Sequence, residues 1–179
     1  VNGLPLVVVE AKRATGNDAD PMEEAFEQLQ RYSDQRGFGI REGDARLFHP
    51  NLLCIRTCGE ACDYGSITAT ERFYYPWRLR RDEEIPDNLL GSEGSRPQEI
   101  LIYGLLDKHR LLDILRTSTV FQTTEHGVVK IVTRHQQYRA AQAIVEGLRT
   151  GTTPEDRSGV IWHTTGSGKS FTMVFAARM

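Results

Sequence analysis

The sequence predicts an α/β chain: an α+β unit on a mixed sheet with flanking helices, then the opening of a second, parallel α/β unit. Three observations carry this. Leu6-Val7-Val8-Val9 is an apolar, mostly β-branched run followed by an amphipathic helical stretch. Residues 47–57 and 64–75 read as further strands, with Gly59 and Gly65 marking turns. Near the end, Val160-Ile161-Trp162-His163 reads as a strand that runs into the glycine-bearing loop Thr165–Ser170 and then a helix.

In chain order, Leu6–Val9 suits a strand buried on both faces. A polar connection, Thr15-Gly16-Asn17-Asp18, leads to Asp20, a good N-cap, with Pro21 at the first helical position and Glu23 three residues after the cap. Met22, Ala25, Phe26, Leu29 and Tyr32 recur at helical spacing and form an inward face. Arg31 and Arg36 suit the C-terminal end of that helix, and Gly37 can close it. Residues 82–97 are acidic and then Gly-, Ser- and Pro-bearing, and read as a mobile connection. Glu99–Arg116 reads as two short helices, Val128–Thr133 as a short strand, and Arg134–Arg149 as a helix closed by Gly151. Residues 150–158 are a polar loop, and Lys169 opens the last helix.

Hydrophobic residues at 39% and charged residues at 26% give the balance of a soluble globular protein, and no apolar run approaches the roughly 18 residues of a membrane span. A net charge of -2 supplies no global attraction to nucleic acid, so any such contact must come from local Lys and Arg patches. Val1-Asn2-Gly3-Leu4 has no basic region and no initiator Met, and reads as a start within a longer protein. Cys54, Cys58 and Cys62 do not make a disulfide framework, so a reducing cytoplasm is expected. Two readings of these thiols are open. With His49 they make a metal site, or Cys54 lies in a strand and the other two in the following turn.

The loop Thr165-Gly166-Ser167-Gly168-Lys169-Ser170 has the chemistry of a triphosphate cradle. Glycines let backbone N–H groups close around phosphate oxygens. Lys169 places a charge on the β- and γ-phosphates, and Ser170 offers a hydroxyl to Mg²⁺. The helix that starts here adds its positive dipole end. The strict motif has a glycine where this chain has His163. Gln137 lies about 30 residues upstream, at the start of a helix. Its amide can pair with the donor and the acceptor of an adenine edge, or simply sit at a solvated helix end.

Glu10 and Lys12 lie at i and i+2 and share one strand face, at the carboxyl end of the valine run where α/β sheets place their chemistry. One reading is a metal-dependent nuclease, in which Glu10 holds Mg²⁺ and Lys12 orients water or stabilises charge on the phosphate. The other is the solvated end of a strand. Gln28 and Tyr32 follow at i and i+4 of one helix, placed to contact the scissile strand or hold the lysine, unless Tyr32 is a core residue. Tyr74-Tyr75-Pro76-Trp77-Arg78-Leu79-Arg80-Arg81 mixes aromatics and cations as single-strand binders do, or is a strand with its aromatics packed inward and a basic tail neutralised by Asp82, Glu83 and Glu84.

Taken together, Gly3–Lys12, Gln28–Tyr32, Tyr64–Ala69, Arg134–Tyr138 and Trp162–Ser170 resemble the restriction, or R, subunit of type I restriction–modification enzymes over nearly the whole chain. The resemblance implies a PD-(D/E)xK endonuclease-like domain over 1–115 and the start of a RecA-like superfamily 2 translocase over 116–179. It implies ATP and Mg²⁺ as cofactors. Double-stranded DNA and the methyltransferase and specificity subunits are the implied partners, with no membrane. Glu10 and Lys12 match the nuclease E-x-K, with Glu10 as metal ligand; Gln28 and Tyr32 match its Q-x-x-x-Y element. Thr165, Gly166, Ser167, Gly168, Lys169 and Ser170 match the first motor motif, with Ser170 on the metal, and Gln137 matches the adenine-reading glutamine. The family's metal-binding Asp precedes Glu10 by a strand, and its acid box and arginine motifs follow the loop. The expectation is therefore a fragment that alone neither cuts DNA nor turns over ATP. Two alternatives stand beside it: a superfamily 2 motor of a type III or phage-related system with a degenerate nuclease domain, and a non-catalytic docking module.

Overall fold

The structure is a computed structural model that describes residues 2–14, 20–37, 39–80, 83–87 and 96–179. It has α/β mixed architecture. Strand β1 (Val7–Ala11) runs parallel to β2 (Leu53–Thr57), which pairs antiparallel with β3 (Cys62–Gly65). Helix α1 (Pro21–Tyr32) lies between β1 and β2 in sequence, as a parallel crossover requires. After β3 come α2 (Pro97–Leu105), α3 (Lys108–Thr117), the hairpin β4 (Thr119–Thr124) and β5 (Gly127–Val132), α4 (His135–Thr150) and α5 (Lys169–Arg178).

The sheet has a core on each face. Val8, Cys54 and, from α1, Leu29 and Phe26 pack with Ile67 and Tyr74 on one side. Leu53, Ile55, Cys62 and Tyr64 pack on the other with Trp77, Leu101, Leu105, Ile114 and Tyr138. This second core joins residues from both sides of the boundary expected at 115/116. Tyr64 donates from its hydroxyl to the Thr133 carbonyl at 2.7 Å, and Trp77 lies 5.9 Å from Tyr64 and 6.2 Å from Tyr138, centroid to centroid. Gly104 makes room for Trp77, because a Cβ there would overlap the indole.

Several expected boundaries are corrected. The valine strand is not buried on both faces: β1 pairs with β2 alone among the described residues, and Val9 is 54% exposed. The strand expected over 47–57 begins only at Leu53. Residues Ala45–Phe48 form a 3₁₀ turn capped by Asp44, and the buried Asn51 amide donates to the Leu53 carbonyl at 2.8 Å where a ladder would have run. The strand expected over 64–75 is shorter because the Ala69 N–H turns back to Ser66 at 3.0 Å and Glu71–Phe73 is a 3₁₀ turn; Tyr75 returns as one isolated rung against Tyr64.

Helix α1 has the predicted cap, Asp20 accepting from the Met22 N–H at 2.8 Å, and Ala25 and Leu29 are buried. It stops at Tyr32 with Ser33 as its C-cap rather than near Gly37, and Tyr32 is 39% exposed, off the core stripe. The two short helices, the strand near 128 and the helix closed by Gly151 are present. The connection Thr15–Asp18 lies outside the described residues, as do residues 82 and 88–95 of the connection expected over 82–97. Pro97 already opens α2. Val160–His163 is not a strand. It pairs with no strand among the described residues, and Val160 and Trp162 are 91% and 89% exposed. No helix among the described residues is long and apolar enough to cross a membrane.

Candidate functional site

The sheet brings a row of charges together beneath α1. Glu10 on β1 is in register with Arg56 on β2, which is in register with Asp63 on β3. The Arg56 guanidinium is buried; it donates to Asp63 at 2.7 and 3.1 Å, to Glu71, and to the Met22 carbonyl at 3.0 Å. Burial pushes the Asp63 carboxyl up, and Arg56 opposes that shift. Arg56 thereby fixes the first turn of α1 over the sheet.

Lys12 follows the last residue of β1 and extends the ladder, its N–H donating to the Thr57 carbonyl at 2.8 Å. Its ammonium is 3.5 Å from Glu10 Oε1 and 2.9 Å from Glu24 Oε1. The hydrogen bond that Lys12 donates to Glu24 is the leading reason that the Lys12 pKa is raised, so the side chain is a firm cation. The expected holders of the lysine sit further along the same helix. With its oxygen assigned toward its donors, the Gln28 amide accepts from Tyr32 Oη at 3.0 Å and from Arg31. Glu24 was missed in the sequence, although it lies at i−4 of Gln28 and i−8 of Tyr32 and so on one helix face with them.

The three thiols separate by strand and turn: Cys54 in β2, Cys58 after it, Cys62 opening β3. All are buried and free, and burial pushes Cys54 up to about 12 and Cys62 to about 11. The described residues contain no group of three or more His, Cys, Asp or Glu that could hold a metal. In the aromatic–basic segment, Tyr74 and Trp77 are buried, Tyr75 lies 3.7 Å beneath the Arg134 guanidinium, and Glu83 bridges Arg110 and Arg139 at 3.1 Å each. Those aromatics are packed, not displayed; Arg81 and Asp82 lie outside the described residues.

At the other end, Gly166 and Gly168 take φ of +77° and +79°, a region that side chains disfavour. Gln137 is buried against this loop. Its Nε2 donates to the Ser167 carbonyl at 2.8 Å and the Gly168 carbonyl at 3.2 Å, while its Oε1 accepts from the Arg134 N–H at 2.9 Å. Both ends of the amide are thus engaged within the protein. In a planar trans peptide C=O and N–H point opposite ways. Holding those two carbonyls inward therefore turns the N–H groups of Gly168 and Lys169 outward. A Cβ on Gly168 would come within 2.6 Å of Gln137 Nε2, a second reason for glycine there. Lys169 and Ser170 are exposed, with Lys169 Nζ bonded to the Thr164 carbonyl at 3.2 Å. A cleft of about 370 Å³ opens beside the loop, walled by Gly166, Gly168, Phe171, Arg134, Tyr75 and the edge of β5.

Comparison with known proteins matches the same two regions. Residues 1–83 match the N terminus of the type I restriction enzyme R protein. The likeness to type I restriction R subunits is borne out. Residues 136–179 match the SWI2/SNF2 ATPase family, in keeping with a motor opening at α4 and the loop. The HindI type I restriction enzyme endonuclease subunit of Haemophilus influenzae is 33% identical over 180 residues, covering 99% of this chain and 16% of the relative. A type I restriction enzyme endonuclease subunit of Staphylococcus saprophyticus is 29% identical over 185 residues, covering the whole chain and 17% of the relative. The chain thus spans about a sixth of the length of these R-subunit relatives.

Proposed function

We propose that the chain is the nuclease region and motor opening of a type I restriction R subunit, which cuts unmodified double-stranded DNA with Mg²⁺ and translocates it with ATP. It would work in the cytoplasm beside methyltransferase and specificity subunits. The observation that carries this reading is the Glu10–Lys12 pair: carboxylate and ammonium 3.5 Å apart at the end of β1, under a helix that bears Gln28 and Tyr32.

Mg²⁺ is usually held by one or two carboxylates with waters and substrate phosphates, and Glu10, 15% exposed, offers one such carboxylate. When bound, the ion supplies Lewis-acid stabilisation of the phosphate. Lys12, kept charged, would set its ammonium against the charge that develops on the scissile phosphate. Gln28 and Tyr32 would orient the strand along α1. At the loop, the outward N–H groups of Gly168 and Lys169 and the helix start would bind triphosphate, with Lys169 on the outer phosphates and Ser170 toward the metal. The base would lie in the adjoining cleft.

The test is Lys12→Ala in a complete R subunit assembled with its partner subunits. Cleavage of unmethylated plasmid should be lost while ATP turnover persists. Wild-type cleavage by that variant refutes the nuclease reading.

A further inference from the structure

We infer that Glu24 is a positioning residue for the nuclease pair: it takes the Lys12 ammonium as its hydrogen-bond partner, holds that cation off the Glu10 carboxylate, and so leaves Glu10 open to a divalent ion. The inference rests on the nuclease reading of Glu10 and Lys12.

The geometry is unequal. Lys12 Nζ meets Glu24 Oε1 at 2.9 Å, within the range of a charge-assisted hydrogen bond, and stands 3.5 Å from Glu10 Oε1. Glu10 and Glu24 are the two carboxylates that face the ammonium among the described residues. A lysine ammonium is a compact point charge on a flexible stem, and it closes on whichever acceptor is nearest. Without the Glu24 carboxylate the nearest is Glu10, and a divalent ion would then have to displace a tight ion pair.

Glu24 is well placed to prevent this because its own turn is fixed. Asp20 caps the helix through the Met22 N–H, the Glu24 N–H donates to the Asp20 carbonyl at 3.0 Å, and buried Arg56 binds the Met22 carbonyl at 3.0 Å. Arg56 is also the register partner of Glu10. One guanidinium therefore ties the strand that carries Glu10 to the turn that carries Glu24. The side chain of Glu24 is 47% exposed, so it is not held by packing, and its ordered contact is the lysine.

A salt bridge that merely closes the β1–α1 connection would alter stability and leave ion affinity alone. The deciding measurement is Mn²⁺ binding, followed by the electron paramagnetic resonance signal of the free ion. It uses the complete enzyme on a duplex without nucleotide and counts only the Mn²⁺ that Glu10→Gln removes. Glu24→Gln should weaken this binding about tenfold, the usual scale for a group that tunes a metal ligand. Adding Lys12→Gln to Glu24→Gln should restore it, because the competing cation is gone. Unchanged affinity in Glu24→Gln, or no recovery in the double variant, overturns the inference while the nuclease reading stands. If Glu10→Gln removes no bound Mn²⁺, the nuclease reading falls and the inference with it.

Discussion

Gln137 Nε2 lies 2.8 Å from the carbonyl oxygen of Ser167, and that bond ties α4 to the glycine-bearing loop across thirty residues of sequence. Together with the bond to Gly168 it fixes which way two peptide planes of the loop face. The amide that the sequence offered for reading a base is, in this fold, engaged at both ends within the protein and supports the glycine-bearing loop.

Gln137→Ala should therefore loosen the loop without touching a phosphate ligand. Of the three side-chain hydrogen bonds that Gln137 makes, the two to the loop carbonyls hold its shape; at about 1 kcal/mol net each, their loss should lower nucleotide affinity roughly ten- to thirtyfold. Titration of a fluorescent ATP analogue into the complete subunit measures it. Unchanged affinity would mean that the loop holds its shape unaided.

Arg56→Ala should be among the more destabilising substitutions in the first half of the chain. It strips Asp63 of its cation at a largely buried position and releases the first turn of α1. Breaking such a pair costs about 3–5 kcal/mol. A thermal midpoint indistinguishable from wild type would contradict the role assigned to Arg56. Adding Asp63→Asn should recover part of the loss, since it removes the carboxylate left unpaired.

His135 gives the fold a predictable acid sensitivity. Burial, and then the neighbouring cations Arg139 and Arg78, pull its pKa down to about 4 from 6.5. The unfolded chain thus binds this proton more readily than the folded one, so the contribution of His135 to stability is present above pH 6.5 and is lost as pH falls toward 4. Comparing denaturant midpoints of wild type and His135→Phe across that window should show a shallower pH slope for the variant. Parallel slopes would rule out His135 as the source.

Much of this was legible in the sequence where local chemistry decides. Asp20-Pro21 announced its helix because a cap and a preset φ act within a few residues. Glu10, Lys12 and the loop could be picked out because strand ends and glycines have positional meaning. What stayed hidden depended on partners distant in the chain. Val160–His163 has the composition of a strand, yet an extended segment becomes one only by pairing, and here it pairs with nothing described. Strand β4 was overlooked although Thr119–Thr124 is rich in strand formers and Gly127, at φ +119°, closes the turn into β5. Glu24 was not singled out in the sequence; only the fold shows that its carboxylate reaches Lys12 across the connection.

The central claim is that the end of β1 is a nuclease centre, and Glu10→Ala tests it most directly. Unmethylated plasmid cleavage and ATP turnover should be followed in one reaction with the complete enzyme. The account predicts that cleavage falls about a thousandfold or more, the several kcal/mol that a bound metal ion contributes, while ATP turnover stays near wild type. Cleavage at the wild-type rate with ATP turnover intact would contradict it.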